Sequence, residues 1–523
     1  MKNKTKESIE KFSKMKYSLA IGGIIVGAAS GFLVSLFRLA LQEAEKFRGG
    51  LTEFAHNGGG SAVVTAVFVF LLAYVIVCAC FIKVPLSSGS GIPQVKGELR
   101  GQIEQGPLGI IMAKFLGGIC AIGSGLSLGR EGPSVQLGAM TGKGAAKLLG
   151  KLGTEEKMMM TCGAAAGLSG AFCAPLAGTV FALEELHKNF STDVMVCTMA
   201  ASITADFVAS YMFGLKPVFD LPRSLKMPLD VYWQVILLGI LLGVFGVIYN
   251  KATDMFQNMY ARYGSSTLGK SLKIGTPFIF AALFAVIYPV VLGSGHPLVA
   301  EIAGGNFALK SLLVLLVVKF FFSMISFASG APGGIFLPLL VLGSIIGGAF
   351  GEAMNLAGAE DYTVNFVILG MTGAFTSIVR SPVTGVILIT EMTGDFTNFM
   401  PLTIVALAAF VTADFLGSKP IYDQLLTRML AGKEELSEEV HLKRKVLIES
   451  QVYLGSLMDG EKVCKMLLPK GCLIVSVQRD DKEFVPNGDT VLKGGDELVV
   501  LCAEGYVAAV EDKLEKICKV IIN

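Results

Sequence analysis

A short run, Gly129-Arg130-Glu131-Gly132-Pro133, combines a carboxylate with a sequence typical of a helix start. The first N–H groups of a helix have no intrahelical acceptor, so together with the helix dipole they attract anions. Glu131 would then be an anion tethered beside an anion site. The residues alone leave two structural alternatives open: Glu131 caps its own helix, or it pairs with Arg130 at an interface.

Two further glycine-rich runs also offer hydrogen-bond donors to an anion at a predicted helix start. In Gly89-Ser90-Gly91-Ile92-Pro93, the Ser90 hydroxyl can donate to an anion just ahead of a helix N-terminus. Gly333-Gly334-Ile335-Phe336-Leu337-Pro338 offers backbone donors and no side-chain charge. The alternatives are a serine N-cap before a proline and a helix kink. Together the runs predict a membrane site that suits a small anion, which must bind and still leave.

Other charged residues occur in apolar surroundings, where a charge is costly and usually functional. Glu184-Glu185 ends an apolar helix and is either a helix end at the cytoplasmic interface or an internal proton acceptor. Snorkelling or ion pairing explains Lys114, Lys319 and Asp414 as well as a function does.

The elements that must position these residues are membrane helices. Hydrophobic residues make up 53% of the 523-residue chain and charged residues 16%, against roughly a quarter charged in soluble proteins. Apolar blocks long enough to cross a bilayer lie at 18–36, 62–82, 231–249, 275–292 and 396–413. The N-terminus, residues 1–16, carries six lysines and is predicted to stay cytoplasmic. A signal peptide is the alternative, and the lack of a clear cleavage site favours a retained first helix.

The membrane part is predicted to be duplicated, because several landmarks recur in the same order at offsets of 204 to 207 positions. They are Gly89–Pro93 and Gly293–Pro297, Pro175 and Pro382, and Glu184 and Glu391. Duplicated membrane proteins often carry broken helices at corresponding places, with the binding site where the halves meet.

The composition changes after about residue 430. Residues 431–446 are charged and are predicted to be a linker, and residues 447–523 to form a small soluble α/β domain. The predicted elements are strands at 473–477 and 497–501, a turn at 486–489 and a helix at 504–518.

With these motifs the sequence resembles the CLC family of chloride channels and chloride/proton antiporters. The resemblance spans roughly residues 17–430, with halves at about 17–215 and 216–430, and includes Lys419-Pro420-Ile421-Tyr422 as a fourth motif. It implies an all-α polytopic membrane protein with an inverted repeat of broken and partial helices. It also implies a homodimer with a separate pore in each subunit.

The resemblance implies which residues bind chloride. Ser90 and Tyr422 would contact the central ion through their side chains, and backbone amides near Ile335 and Phe336 would complete the site. Ser90 favours chloride over nitrate, whose transporters carry Pro there. Gln94 departs from the Glu of many members and is expected to have little effect on ion choice.

The resemblance also implies two proton stations. Glu131 would be the gating and external proton glutamate, swinging into an anion position when deprotonated and leaving when protonated. Glu185 matches the internal proton glutamate, which channels usually lack.

The tail resembles the C-terminal subdomain of the RCK/TrkA family, in Leu468–Cys472 and Val485–Thr490. This implies a bacterial source and regulation through the cytosolic domain. Cyclic di-AMP is a candidate ligand, and a plain dimerisation module is the alternative. Both termini are predicted to be cytoplasmic, in a bacterial plasma membrane.

The expected function is a secondary-active Cl⁻/H⁺ antiporter, with chloride and protons as substrates and no cofactor. A passive chloride channel on the same fold is the alternative. A potassium channel or transporter is less well supported, because no Thr-Val-Gly-Tyr-Gly filter occurs. The sequence shows no metal-ligand spacing or catalytic motif, so neither an enzyme, a metal site nor a nucleic-acid partner is predicted.

Overall fold

The computed structural model describes residues 2–57, 59–151, 153–188, 190–264, 266–431, 445–466, 468, 472–479, 482–503 and 507–519. The chain divides into two compact units, residues 1–426 and 427–523, which are described separately.

The first unit is built of helices. In the first half they are α1 (Lys2–Asn57), α2 (Gly59–Lys83), α3 (Ile92–Leu99), α4 (Pro107–Gly123), α5 (Glu131–Leu148), α6 (Thr154–Phe172), α7 (Pro175–Phe181) and α8 (Thr192–Phe213). In the second half they are α9 (Tyr232–Ala261), α10 (Thr267–Ile287), α11 (His296–Ala303), α12 (Leu309–Ala328), α13 (Phe336–Leu356), α14 (Thr363–Val379), α15 (Pro382–Thr393), α16 (Phe399–Phe415) and α17 (Ile421–Ala431).

Seven helices of the described residues are long and apolar enough to cross a membrane, which makes the chain a multi-pass membrane protein. They are Ala20–Ala55, Val63–Lys83, Thr192–Phe213, Leu229–Ala261, Thr267–Ile287, Leu309–Ala328 and Phe336–Leu356. Four predicted blocks overlap these spans, although the block 275–292 extends past the end of its helix at Ile287. The fifth, 396–413, corresponds to α16, an apolar helix of 17 residues.

Paired glycines let helices approach closely at the same place in each half. α5 packs on α6, and α13 packs on α14. A Cβ atom on Gly138 would lie 2.0 Å from the carbonyl oxygen of Gly163, and one on Gly343 would lie 2.4 Å from that of Gly370. Larger residues would push the helices apart, so close helix packing accounts for these glycines.

The two halves repeat the same local geometry, which confirms the predicted repeat. The short helices α3 and α11 each contain eight residues and follow a left-handed glycine, Gly91 at φ 97° and Gly295 at φ 82°. Cys173 and Arg380 are also left-handed, at φ 51° and 73°, and each ends a helix just before α7 or α15 begins. The left-handed turn before a short helix and the left-handed helix end therefore each occur once in each half.

The second unit is a four-stranded antiparallel sheet with a helix. Its strands are β1 (Lys445–Gln451), β2 (Leu473–Arg479), β3 (Lys482–Phe484) and β4 (Glu497–Ala503), in the order β1-β4-β2-β3. Val500 in β4 pairs with Ile448 in β1 and with Ile474 in β2, and all three side chains are buried in the core of this unit.

The tail predictions hold for the two strands, which are each two residues longer than predicted. The turn lies one residue later than predicted, at 487–490, where the Thr490 N–H donates to the Asn487 carbonyl at 3.0 Å. The predicted helix at 504–518 is corrected to α18 (Val507–Leu514), followed by a π-helical turn, Glu515–Lys519, while residues 504–506 lie outside the described residues.

The predicted linker, residues 431–446, needs correction at its end. Residues 432–444 lie outside the described residues, and β1 begins at Lys445, inside the predicted linker. The sequence did not predict β1, because its short apolar stretch follows directly on a run of charged residues.

Candidate functional site

Backbone hydrogen bonds join the three glycine-rich runs across the two halves. The N–H groups of Gly129 and Gly334 each donate to the other's carbonyl oxygen at 2.7 Å, as in an antiparallel bridge. The Gly89 N–H donates to the Gly330 carbonyl at 3.1 Å, and the Gly333 N–H donates to the Gly89 carbonyl at 3.0 Å. Runs that lie about 200 residues apart in the sequence therefore meet at one place.

Several buried hydroxyl groups have no hydrogen-bond partner among the described residues, and two of them, Ser90 Oγ and Tyr422 Oη, belong to the residues that the sequence singled out. Buried polar atoms without a partner are rare in folded proteins, so such atoms indicate a place for a ligand. Gly132 borders Ser90: a Cβ atom at position 132 would lie 2.4 Å from Ser90 Oγ. A larger residue at 132 would therefore displace the hydroxyl.

Glu131 is the first residue of α5 and is fully buried. Neither carboxylate oxygen makes a well-formed hydrogen bond with a described residue, although the backbone N–H of Leu337 lies near. A Cβ atom at Gly129 would lie 2.2 Å from Glu131 Oε2 and 3.0 Å from the Leu337 nitrogen. The carboxylate thus lies between the starts of α5 and α13.

Of the two alternatives left open for Glu131, the ion pair with Arg130 receives no support from these contacts. Arg130 makes no ion pair with Glu131 within 4.0 Å in the described structure, and its Nη2 atom donates to the Ala171 carbonyl at 3.5 Å. No side chain caps α5 at its N-terminal residue. The Glu131 carboxylate lies near its own backbone N–H at the start of α5, so capping of its own helix stays an alternative.

The start of α13 is the part of the second half that borders the candidate anion site. Ile335 is the N-cap and Phe336 the first residue of this helix, so the N–H groups of its first turn have no intrahelical acceptor. The Phe336 ring is held between two other rings, with centroids 5.3 Å from Phe172 and 4.9 Å from Phe375. This packing fixes the helix start beside Gly129–Pro133.

Glu185 lies in a π-helical turn, Ala182–His187, and is 2% exposed. Its Oε1 atom accepts from Lys96 Nζ at 2.6 Å, and its Oε2 atom accepts from the Ser381 hydroxyl at 3.1 Å. Lys96 also contacts Asp423 Oδ1 at 2.7 Å. The sequence analysis missed Lys96, although a lysine six residues after Ser90 on a short apolar helix was an available signal.

Glu184 points to a different partner from its neighbour Glu185. Its carboxylate accepts from the backbone N–H groups of Val383 at 3.2 Å and Thr384 at 2.7 Å, at the start of α15. Glu184 and Glu185 both lie in the π-helical turn, and such a turn contains an extra residue and often occurs at functional sites.

Glu391 makes the reciprocal contact. It accepts from the N–H groups of Leu176 at 3.1 Å and Ala177 at 2.8 Å, at the start of α7. Each half therefore caps a helix of the other with a carboxylate, as the helix dipole favours.

Three further charged residues singled out in the sequence have partners. Lys114 Nζ donates to the carbonyls of Ser87 at 2.9 Å and Gly89 at 2.6 Å. Lys319 Nζ donates to the corresponding carbonyls of the second half, Val291 at 2.8 Å and Gly293 at 2.7 Å. Asp414 pairs with Arg380. Both buried lysines therefore satisfy the carbonyls of the turns before α3 and α11.

Fold and site together define a polytopic membrane protein whose duplicated helical halves meet at a buried cluster of helix starts. The model of the voltage gated chloride channel family matches residues 70–414. The chain belongs to this family, the CLC proteins. The TrkA-C domain model matches residues 447–515, so the second unit has the type of tail that the sequence predicted.

Relatives with an assigned function cover most of this chain. The H(+)/Cl(-) exchange transporter ClcA of Vibrio parahaemolyticus is 33% identical over 440 residues, which are 81% of this chain and 93% of that protein. The protein of the same name from Yersinia pseudotuberculosis is 33% identical over 432 residues, 80% of this chain and 89% of its own length.

Solved structures share the fold of the membrane unit. A slow cyanobacterial Cl⁻/H⁺ antiporter superimposes with a TM-score of 0.74 at 27% identity, covering 80% of this chain and 99% of that one. A CLC-type fluoride/proton antiporter gives a TM-score of 0.63 at 22% identity, covering 78% of this chain and 97% of that one, and shows the fold alone.

Proposed function

We propose that this chain is a secondary-active antiporter that moves chloride across the membrane in exchange for protons. Relatives that are 33% identical over four-fifths of the chain are H(+)/Cl(-) exchange transporters, which supports the proposal. The observation that carries it is the position of Glu131, a fully buried carboxylate between the starts of α5 and α13.

Chloride binds, in this proposal, between two hydroxyl side chains, one from the turn before α3 and one from α17. The hydroxyls of Ser90 and Tyr422 donate to the ion, and backbone N–H groups at Ile335 and Phe336 complete its coordination. Both hydroxyls are buried and lack another partner among the described residues, which supports this role. Hydroxyl and amide donors hold an anion less tightly than a cluster of cations, so the ion can leave.

Glu131 is the gate and external proton acceptor in this proposal. As a carboxylate it occupies an anion position beside the N–H groups that begin α13, where it competes with chloride. When protonated it loses its attraction to the helix start and moves away, so chloride can enter. Each proton taken up at Glu131 thereby accompanies a change in chloride occupancy.

Glu185 is the internal proton acceptor in this proposal. Its almost complete burial is costly for a charge, and a buried carboxylate among membrane helices is usually functional. Contacts from Lys96 and Ser381 hold it in place. Protons then reach Glu131 and Glu185 from opposite sides of the membrane.

A passive chloride channel is the competing function, since the matching family model describes a chloride channel. One measurement separates the two. Purified protein in liposomes is placed under opposed Cl⁻ and pH gradients, and its reversal potential is recorded, with a matched sample lacking the pH gradient as the control. A value displaced by the pH gradient supports the antiporter, and the Nernst potential of chloride in both samples overturns it.

We further propose that the protein is a homodimer in a bacterial plasma membrane, with both termini in the cytoplasm, and that the tail regulates transport. The TrkA-C match at 447–515 supports a regulatory role for the tail. Cyclic di-AMP is the candidate ligand. Full-length protein should bind labelled cyclic di-AMP and lose this binding when residues 445–523 are deleted; no binding by the full-length protein overturns the ligand assignment.

A further inference from the structure

Lys96 is a buried cation that joins three elements of the membrane unit. It lies on α3, its side chain is fully buried, and its ammonium group contacts Glu185 of the π-helical turn at 2.6 Å. The same group contacts Asp423 of α17 at 2.7 Å. One lysine thus connects α3, the π-helical turn and α17.

The two elements that Lys96 connects to Glu185 carry the proposed chloride side chains. Ser90 lies in the turn immediately before α3, and Tyr422 is the neighbour of Asp423 on α17. A change in the Lys96 contacts would therefore reach both hydroxyl groups through α3 and α17.

We propose that Lys96 is a positioning residue that couples the charge of Glu185 to the separation of Ser90 and Tyr422. This inference rests on the proposed antiporter function and deepens it. With Glu185 charged, Lys96 holds α3 and α17 together and keeps the two hydroxyls in place around chloride. Protonation of Glu185 removes its attraction for Lys96, loosens the three elements and weakens chloride binding.

Several other charged residues lie around the contacts of Lys96 with Glu185 and Asp423. From α17, Asp423 faces Lys96; after the π-helical turn, Lys188 contacts Asp423 at 2.5 Å; and at the end of α3, Arg100 approaches Asp423 at 3.5 Å. The hydroxyl of Ser381 is the further described partner of Glu185. Lys96 forms ion pairs with both Glu185 and Asp423, whereas Lys188 and Arg100 pair with Asp423.

A second buried ion pair on the same helix provides a matched control. Glu98, two residues after Lys96 on α3, pairs with the almost fully buried Lys143 of α5. Removing this pair also leaves a charge without its partner inside the protein, which is destabilising. It does not touch Glu185 or α17, so it should lower stability without changing the coupling.

The test is a double-mutant cycle on chloride affinity. In the Glu131→Gln background, which removes the competing carboxylate, chloride Kd is measured by calorimetry for Lys96→Met, Glu185→Gln and the double variant. We expect each single change to raise Kd about fivefold or more, as an energetic coupling between sites predicts. The double variant should match the larger single effect, because both changes break the same contact.

Conservative and partial variants keep the test decisive if Lys96→Met does not fold. Lys96→Arg retains the charge and should keep Kd close to the parent value. Asp423→Asn leaves the Glu185 contact of Lys96 intact, removes the charge of its α17 partner together with the pairs to Lys188 and Arg100, and should raise Kd in the same direction. Lys143→Met should lower the melting temperature and leave Kd unchanged.

Additive effects in the double variant, an unchanged Kd in Lys96→Met, or an equal Kd change in Lys143→Met would overturn the coupling role. Failure of the antiporter proposal is detected separately, because the parent protein would then show a reversal potential insensitive to the pH gradient.

Discussion

The two halves of the membrane unit keep the same supporting contacts but not the same candidate transport residues. Lys114 and Lys319 each satisfy two turn carbonyls, and Glu184 and Glu391 each cap a helix of the opposite half. These charged residues recur at offsets of 205 and 207 positions. A charge that recurs with the same contacts in both halves is therefore part of the scaffold.

The charges proposed for transport occur in the first half alone. At the matching offsets, Glu131 corresponds to Phe336 (205 positions) and Glu185 to Met392 (207 positions). Lys96 corresponds to Ala300 at an offset of 204. Comparing the halves thus separates buried charges that hold the fold from buried charges available for chemistry, which burial alone does not do.

The largest effect is expected at Glu131. Glu131→Gln removes the titrating carboxylate, so proton flux should fall to the level of protein-free liposomes while chloride flux continues. Proton and chloride movements are recorded together in liposomes. Glu391→Gln, which changes a carboxylate that caps α7, is the control, and it should retain coupled proton flux. Coupled uphill proton movement by Glu131→Gln would contradict the assignment of Glu131.

The buried lysines should give the next largest effect. Lys114→Met and Lys319→Met each leave two buried carbonyls without a donor, at about 1–3 kcal/mol per carbonyl. Both variants should unfold at lower temperature in detergent. Lys114→Met should also weaken chloride binding, because its turn carries Ser90, whereas Lys319→Met should not. Equal losses of chloride affinity in both variants would show that the turn before α11 also contributes to the site.

The reciprocal caps should give a smaller and equal effect in both halves. Glu184→Gln and Glu391→Gln each remove a charge from a helix start, at about 0.5–2 kcal/mol. Thermal unfolding measures the loss, and the Cl⁻/H⁺ ratio of both variants should stay at the parent value. Glu185→Gln is the contrasting neighbour and should weaken proton transport. A changed transport ratio in Glu184→Gln alone would remove the distinction between these adjacent glutamates.

The tail unit lies outside the repeat, and the smallest effect is expected there, from a substitution of Asp459. N–H groups of Gly455 and Gly494, each at 2.8 Å, hold the pKa of the Asp459 carboxyl below its usual value. Because the folded pKa is lowered, this stabilisation is present above the unfolded pKa and is lost as pH falls through the folded value. Asp459→Asn should therefore increase proteolysis of the tail slightly at neutral pH, with the difference from the parent vanishing in acid. An undiminished difference in acid would rule out this cause.

The sequence predicted the helix starts and the repeat because both have local signals. Gly-Pro runs mark where a helix begins, so Glu131 and Phe336 could be placed at the starts of α5 and α13 before the structure was known. The roles assigned to Ser90, Tyr422 and Glu185 depend on the family resemblance and stay predictions that the flux and binding experiments test.

The partners of the buried charges had no local signal. Lys96 and Asp423 are 327 positions apart in the sequence, and their contact depends on how α3 packs beside α17. The π-helical turn that sends Glu184 and Glu185 to different partners is equally a product of tertiary packing. Hydrophobic periodicity reports which face of a helix is buried and carries no information on such pairings.

The exchange of carboxylate caps between the halves has the form of an isologous interface, in which surface i contacts j and surface j contacts i. Within one chain this two-fold relation has no need to exist, but between two identical short chains symmetry imposes it. The contacts of Glu184 with the start of α15 and of Glu391 with the start of α7 therefore have the geometry that a dimer of half-length subunits would have. The candidate site departs from this two-fold relation, because the position that corresponds to Glu131 in the second half holds Phe336.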